Sequence, residues 1–350
     1  MTPLGRIVAR QIALTGPMPL SDYMLLCHDH PVHGVYAAAD PLGQRGHFTT
    51  APEISQMFGE LVGLALGQAW LDRGAPAGAI LAELGPGRGT LMQDALRALA
   101  QVPGFPAAVH LVETSRALRA AQTERLGNAT WHDRIDELPE APLFLIANEF
   151  FDALPVRQFQ RDGIGWRERV VGLEGEVLTL GLGPLSSLEA LEHRLEDTGD
   201  GDVVELCPAL PAIAEEIARR IAKHGGAALI IDYGDWRSRG DTFQAICRHE
   251  TVAPLAAPGT ADLTAHVDFE AIARATEAVS HTRLTTQGAF LERLGIASRA
   301  RKLAEGMTGE TLDAHLAAHR RLTHPAEMGH LFKVVGLYRP SDPPLPGLET

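Results

Sequence analysis

The sequence predicts an α/β protein built on a doubly wound, mostly parallel sheet, with a helical cap before it and a β-rich insertion within it. Three observations carry this. Short apolar runs alternate with stretches of helical spacing from residue 79 onward. The first run passes through Glu83 into a turn with Gly85, Gly87 and Gly89, and a helical pattern starts at Thr90. Between residues 155 and 181 the alternation stops, and three short runs separated by Gly and Asp turns replace it.

Residues 1–75 form the expected helical cap. Residues 1–21 carry Arg6 and Arg10 and no acid, which faintly suggests a transit peptide. Ser21-Asp22-Tyr23-Met24 reads instead as a capped helix, so an N-terminal helix of the folded domain is expected. Ser55 to Trp70 places apolar residues at helical spacing, and Ala51-Pro52-Glu53 is a suitable helix entry. Strands are expected at 79–84, 108–113, 130–131 and 143–147, with helices at 90–100 and 115–126 between them. Residues 155–202 form the inserted lobe. Alternation returns with a helix at 208–223, a strand at 227–231 ending in Asp232-Tyr233-Gly234, a helix after Asp268, a strand near 282–286, helices through 321 and a last strand at 331–338. The core thus comprises 76–154 and 203–340, and the Pro-rich tail, 341–350, is expected to fray.

The chain has 350 residues and 45% apolar composition, ample for a large core. Its net charge of −13 argues against a phosphate-backbone partner and suits a cationic substrate. Cys27, Cys207 and Cys247 lie far apart with no C-x-x-C, as in a reducing compartment. No apolar run approaches the ~20 residues of a membrane span.

The glycine spacing discriminates between ligands. A dinucleotide fingerprint needs glycines at the first, third and sixth positions, and the sixth here is Thr90. Glycines at the first, third and fifth, with Glu83 two before the first, resemble motif I of class I S-adenosylmethionine (SAM) methyltransferases. SAM lacks a pyrophosphate and needs close backbone approach, which glycine permits. Glu113 ends the second strand, where an acid accepts both ribose hydroxyls; alternatively it is a helix N-terminal charge. Asp133 follows the third strand, where it, His132 or the backbone could accept from the adenine amino group. Asn148-Glu149-Phe150-Phe151-Asp152 ends the fourth strand, the ligand edge of such sheets, and Asn148 is assigned to the cofactor. Glu149 and Asp152 with two aromatics suit a flat guanidinium, one Phe being expected in the core. His266, before Val267-Asp268, is either a further site candidate or only a loop contact, and Asp268 is a natural N-cap. Cys27-His28-Asp29-His30-Pro31-Val32-His33 approaches a metal motif but mixes soft and hard ligands, so a solvent-facing turn is expected and no metal.

Together these runs resemble the MidA family of SAM-dependent methyltransferases from about Leu20 to Leu337. The resemblance rests on Glu83–Met92, Leu111–Ser115, Ala147–Pro155, Gly165–Arg169, Gly225–Gly234, Asp262–Phe269 and Met328–Val334. It implies a seven-stranded Rossmann-like sheet, SAM as methyl donor and protein arginine as acceptor. It further implies symmetric methylation of the quinone-site subunit of respiratory complex I during assembly. Bacterial members would be cytoplasmic and eukaryotic ones would lie in the mitochondrial matrix. His47 stands where the family carries an acid. The alternatives are a small-molecule SAM methyltransferase and a SAM-binding assembly chaperone with little turnover.

Overall fold

The computed structural model describes residues 1–35, 49–105 and 108–349. His47, with Gly46 and Phe48, lies outside them. The chain forms two compact units: Thr49–Phe151, Ala212–Trp236 and Phe269–Thr350 make a sheet unit, and Met1–Phe48, Asp152–Pro211 and Arg237–Asp268 make a lobe unit.

In the sheet unit, the order across the sheet is Ser280–His281, Phe332–Tyr338, Gly226–Asp235, Leu143–Asn148, Ile80–Leu84, Val109–Val112 and Thr130–His132. Thr285–Thr286 also pairs with Phe332–Tyr338. The strands from Gly226–Asp235 through Thr130–His132 run parallel, and Phe332–Tyr338 is antiparallel to Gly226–Asp235. Ile80–Leu84 and Leu143–Asn148 are neighbours, although they are the first and fourth parallel strands in sequence. The winding direction reverses between them, which is where a doubly wound sheet opens a crevice at its C-terminal edge. Both strands are buried along their whole length, which explains their unbroken apolar runs.

Helix Gln56–Asp72 belongs with this sheet. Its Gly59, Gly63 and Gly67 form a smooth ridge. A Cβ on each would lie 2.7, 2.7 and 2.8 Å from Asp94, Ala95 and Leu99, so the ridge lets helix Thr90–Leu99 approach closely. The expected cap is therefore divided after residue 48, because this helix buries nearly all its faces in the sheet core.

The lobe unit holds the expected β-rich insertion. Arg157–Asp162, Gly165–Glu174 and Val177–Ser186 are antiparallel, and Val203–Leu206 and Met18–Pro19 complete the sheet. A second small sheet, Gln244–Cys247 with Glu250–Val252 and Asp262–Thr264, was not expected from the sequence. Helices Pro3–Thr15 and Leu20–Asp29 bury Leu4, Val8, Ile12, Tyr23 and Met24 in the lobe core. The expected solvent-facing turn near His28 is corrected in part. His28 is buried, and the Leu263 N–H donates to its Nε2 at 3.3 Å. Only the following residues turn outward, with His30 Nδ1 accepting from the Val32 and His33 amides. The three cysteines are free thiols.

Candidate active site

The corner begins with Glu83, the fourth residue of Ile80–Leu84. Its carboxyl is almost fully buried, and burial pushes its pKa up to about 8. One oxygen, Oε2, has no hydrogen-bond partner among the described residues. Gly85, Gly87 and Gly89 then take φ of 58, 53 and 77°, a left-handed path that glycine follows without strain. A Cβ on Gly85 would lie 2.9 Å from the Phe150 ring, so this glycine also admits a close neighbour.

Glu113 follows the Val109–Val112 strand. Its Oε1 accepts from the Ser115 N–H at 2.8 Å and its Oε2 from Gln122 Nε2 at 3.3 Å. Burial raises its pKa, and these donors oppose the rise. Gln122 is fully buried on helix Arg116–Leu126 and also donates to Gly87 O at 2.6 Å. It accepts from Trp131 Nε1 at 2.7 Å, so one amide ties the glycine turn to Glu113 and the next strand. Gln122 is not among the residues that the sequence motifs single out. Its signal was a polar residue four places after Leu118 on the buried stripe of that helix.

Asp133 is 69% exposed and pairs with Arg119 at 2.5 Å, and Arg119 also donates to Glu113 O and His132 O. His132 Nε2 lies 2.9 Å from His110 Nδ1, and burial lowers the pKa of both imidazoles.

Asn148 ends its strand with a buried Oδ1 that has no partner among the described residues, while its Nδ2 donates to Glu149 Oε1 at 3.2 Å. Glu149 takes φ +49°, unusual for a residue with a Cβ. Its N–H donates to Ile231 O at 2.9 Å, and its Oε1 accepts from the Ala51 N–H at 2.9 Å. Asp232, with no solvent exposure, pins the rest of the turn. Its Oδ2 accepts from the Phe150 and Phe151 N–H groups at 3.2 and 3.0 Å. Phe151 is the aromatic that enters the interior, and Phe150 stays half-buried with its ring edge-on to Phe151. Glu53 is a second residue missed as a site element. It accepts from the Thr90 hydroxyl, which in turn accepts from Arg125. The segment carrying Glu53 and Ala51 thus links the start of helix Thr90–Leu99 to Glu149.

Of the predicted site residues, Glu83, the glycines, Glu113, Asp133, Asn148 and Glu149 therefore belong to the sheet unit. Asp152 and His266 belong to the lobe unit, where Asp152 O accepts from the Ala265 N–H at 3.1 Å.

A family model of S-adenosyl-L-methionine-dependent methyltransferases matches residues 61–288. The chain belongs to this methyltransferase family. It is 37% identical over 356 residues to the Xenopus laevis "Protein arginine methyltransferase NDUFAF7, mitochondrial", covering 92% of this chain and 81% of that one. The human protein of the same name is 35% identical over 370 residues, covering 96% and 83%. The crystal structure of a COG1565 superfamily member from Burkholderia thailandensis bound to S-adenosyl-homocysteine superposes with a TM-score of 0.85 at 30% identity, covering 98% of this chain and 94% of that one. The SAM expectation and the Rossmann-like fold are borne out.

The methyltransferase corner fits SAM chemically. The cofactor brings an ammonium and hydroxyl donors, and the corner offers buried acceptor atoms that lack a donor among the described residues, Glu83 Oε2 and Asn148 Oδ1. Glu83, Asn148, Glu113 and the positive-φ glycines are the residues that would hold it.

Proposed function

We propose that this methyltransferase modifies arginine in a protein, with Glu149 orienting the acceptor guanidinium. The observation that carries the reading is Glu149 itself. It stands in a left-handed conformation at the C-terminal edge of the sheet, beside the reversal of winding, and three hydrogen bonds fix it. The arginine methyltransferase names of the relatives support the acceptor.

Bound SAM supplies an activated methyl group on a sulfonium. The chain must supply orientation and a route for one proton. A guanidinium stays protonated at neutral pH, so a carboxylate can hold two of its nitrogens in a planar fork and leave the third facing the methyl group. Transfer of the methyl group to that nitrogen would break its bond to sulfur and leave S-adenosylhomocysteine, and the guanidinium would give up one proton; Glu149, through the nitrogens that it holds, is the proposed acceptor of that proton. Asp152 and His266 are the proposed acceptor-side residues of the lobe unit. Asp133 keeps its proposed part on the adenine side.

The proposed client is the quinone-site subunit of complex I, dimethylated symmetrically during assembly. The mitochondrial names of the relatives support a mitochondrial location in a eukaryote; the matrix is the proposed compartment there, and the cytoplasm its proposed bacterial counterpart. Peptide mass spectrometry of that subunit, from cells with and without this chain, tests the client. Loss of dimethylarginine on removal of the chain is expected. Unchanged methylation would show that this subunit is not the client.

A further inference from the structure

The Gly165–Arg169 motif has no part in the site described so far, yet its last residue starts a chain of hydrogen bonds whose centre, Gln158 and Glu205, is buried. Arg169, Gln158 and Glu205 lie side by side on three neighbouring strands, since Gln158 is the register partner of both others. Adjacent residues in such a row share one face of the sheet. Arg169 Nη1 donates to Gln158 Oε1 at 3.0 Å and pairs with Asp241 at 2.7 Å. This fixes the Gln158 amide, whose Nε2 donates to Glu205 Oε1 at 2.7 Å and to Asp241 Oδ1 at 2.8 Å. Glu205 is buried and accepts from both the N–H and the hydroxyl of Thr242. The Thr242 hydroxyl has a single proton, given to Glu205, so Oγ1 is left as an acceptor. It receives the His266 N–H at 2.8 Å. The preceding amide, Ala265 N–H, goes to Asp152 O.

We propose that Thr242 and Glu205 are positioning residues for His266, acting through the hydroxyl that binds the His266 amide. The inference rests on the reading of His266 as an acceptor-side residue. It gives the polar row of the inserted lobe a purpose: a charged residue on one strand dictates the orientation of an amide, a carboxylate and a hydroxyl in turn. Gln158 and Glu205 are buried and hydrogen-bonded on both sides, so the centre of the row is held rigidly, which a positioning device requires.

Two measurements separate this inference from its parent reading. The first is amide hydrogen exchange at His266, which needs no acceptor. Thr242→Val keeps the shape and removes the hydroxyl, and is expected to speed exchange at His266 by about tenfold or more. Thr242→Ser is expected to restore protection. Equal exchange in the wild type and the valine variant overturns the proposal. The second is turnover with labelled SAM and the arginine-bearing subunit. Thr242→Val is expected to lower kcat about tenfold with SAM affinity unchanged, Thr242→Ser to rescue it, and Thr242→Val to add nothing in a His266→Ala background. A valine variant with normal kcat beside an impaired His266→Ala overturns the positioning role and leaves the parent reading intact. A fully active His266→Ala overturns the parent reading, and the catalytic part of this inference with it.

Discussion

Glu149 holds a backbone conformation that costs an ordinary residue about 1–3 kcal/mol, and the surrounding hydrogen bonds keep it there. Such a cost is expected where a side chain must point in one direction. Glu149→Gln keeps the oxygen that accepts from Ala51 and removes the charge. It should leave SAM affinity within a few-fold and cut turnover by about 10²-fold, measured by calorimetry and initial rates. Unchanged turnover would make Glu149 structural. Glu83 makes a separate prediction. Above its ordinary 4.5 the unfolded chain releases this proton, while the folded chain keeps it up to about 8. Glu83 therefore weakens the ligand-free fold progressively as pH rises through that window, and not below it. Glu83→Gln removes the titration. It should melt close to the wild type near about pH 5 and above it near about pH 8.5. A constant difference across that range would contradict the buried, protonated carboxyl. Glu83, Glu113 and Glu149 were legible in the sequence because each follows an apolar run where ligands meet such a sheet. Asp232 and Gln122 were not, because they act on backbone groups far away in the chain. Asp232 is 81 residues from the Phe151 amide that it binds.

At the scale of elements, the glycine turn and the Asp232 corner are the two devices that shape the site. Gly87→Val places a β-branched residue at φ 53°, so it should abolish SAM binding by calorimetry while the circular dichroism of the fold is kept. Retained SAM affinity would show that the turn tolerates a side chain. Asp232→Asn puts an amide that can donate where two N–H groups need an acceptor, or leaves a single carbonyl to serve them and Tyr233. It should cost about 1–3 kcal/mol in denaturant unfolding. The parallel strands and their helices were legible from apolar runs and helical spacing. The Gln244–Cys247, Glu250–Val252 and Asp262–Thr264 sheet was not. Its strands are three or four residues long, too short to show alternation, and Pro254 and Pro258 interrupt the stretch between them.

For the whole molecule, the chain passes repeatedly between the units, so each is assembled from separated segments. Composition changes little at these crossings, which is why the sequence placed the first boundary beyond helix Gln56–Asp72 and left residues 237–268 with the core. The charge of −13 is a property of the whole, and it suits attraction of a cationic protein segment. Affinity for such a segment should fall as salt rises, read as a rising KM between about 50 and 300 mM, because exposed charges are screened. The central claim is that this chain moves a methyl group from SAM to an arginine nitrogen of a protein. The most direct test incubates the purified chain with methyl-labelled SAM and the quinone-site subunit, then locates the label by fragment mass spectrometry, with a matched subunit in which the target Arg is replaced by Lys. Label on the guanidinium of the arginine form, and none on the lysine form, is the predicted result. Equal labelling of the lysine form, or transfer to a small metabolite with no protein present, would contradict it.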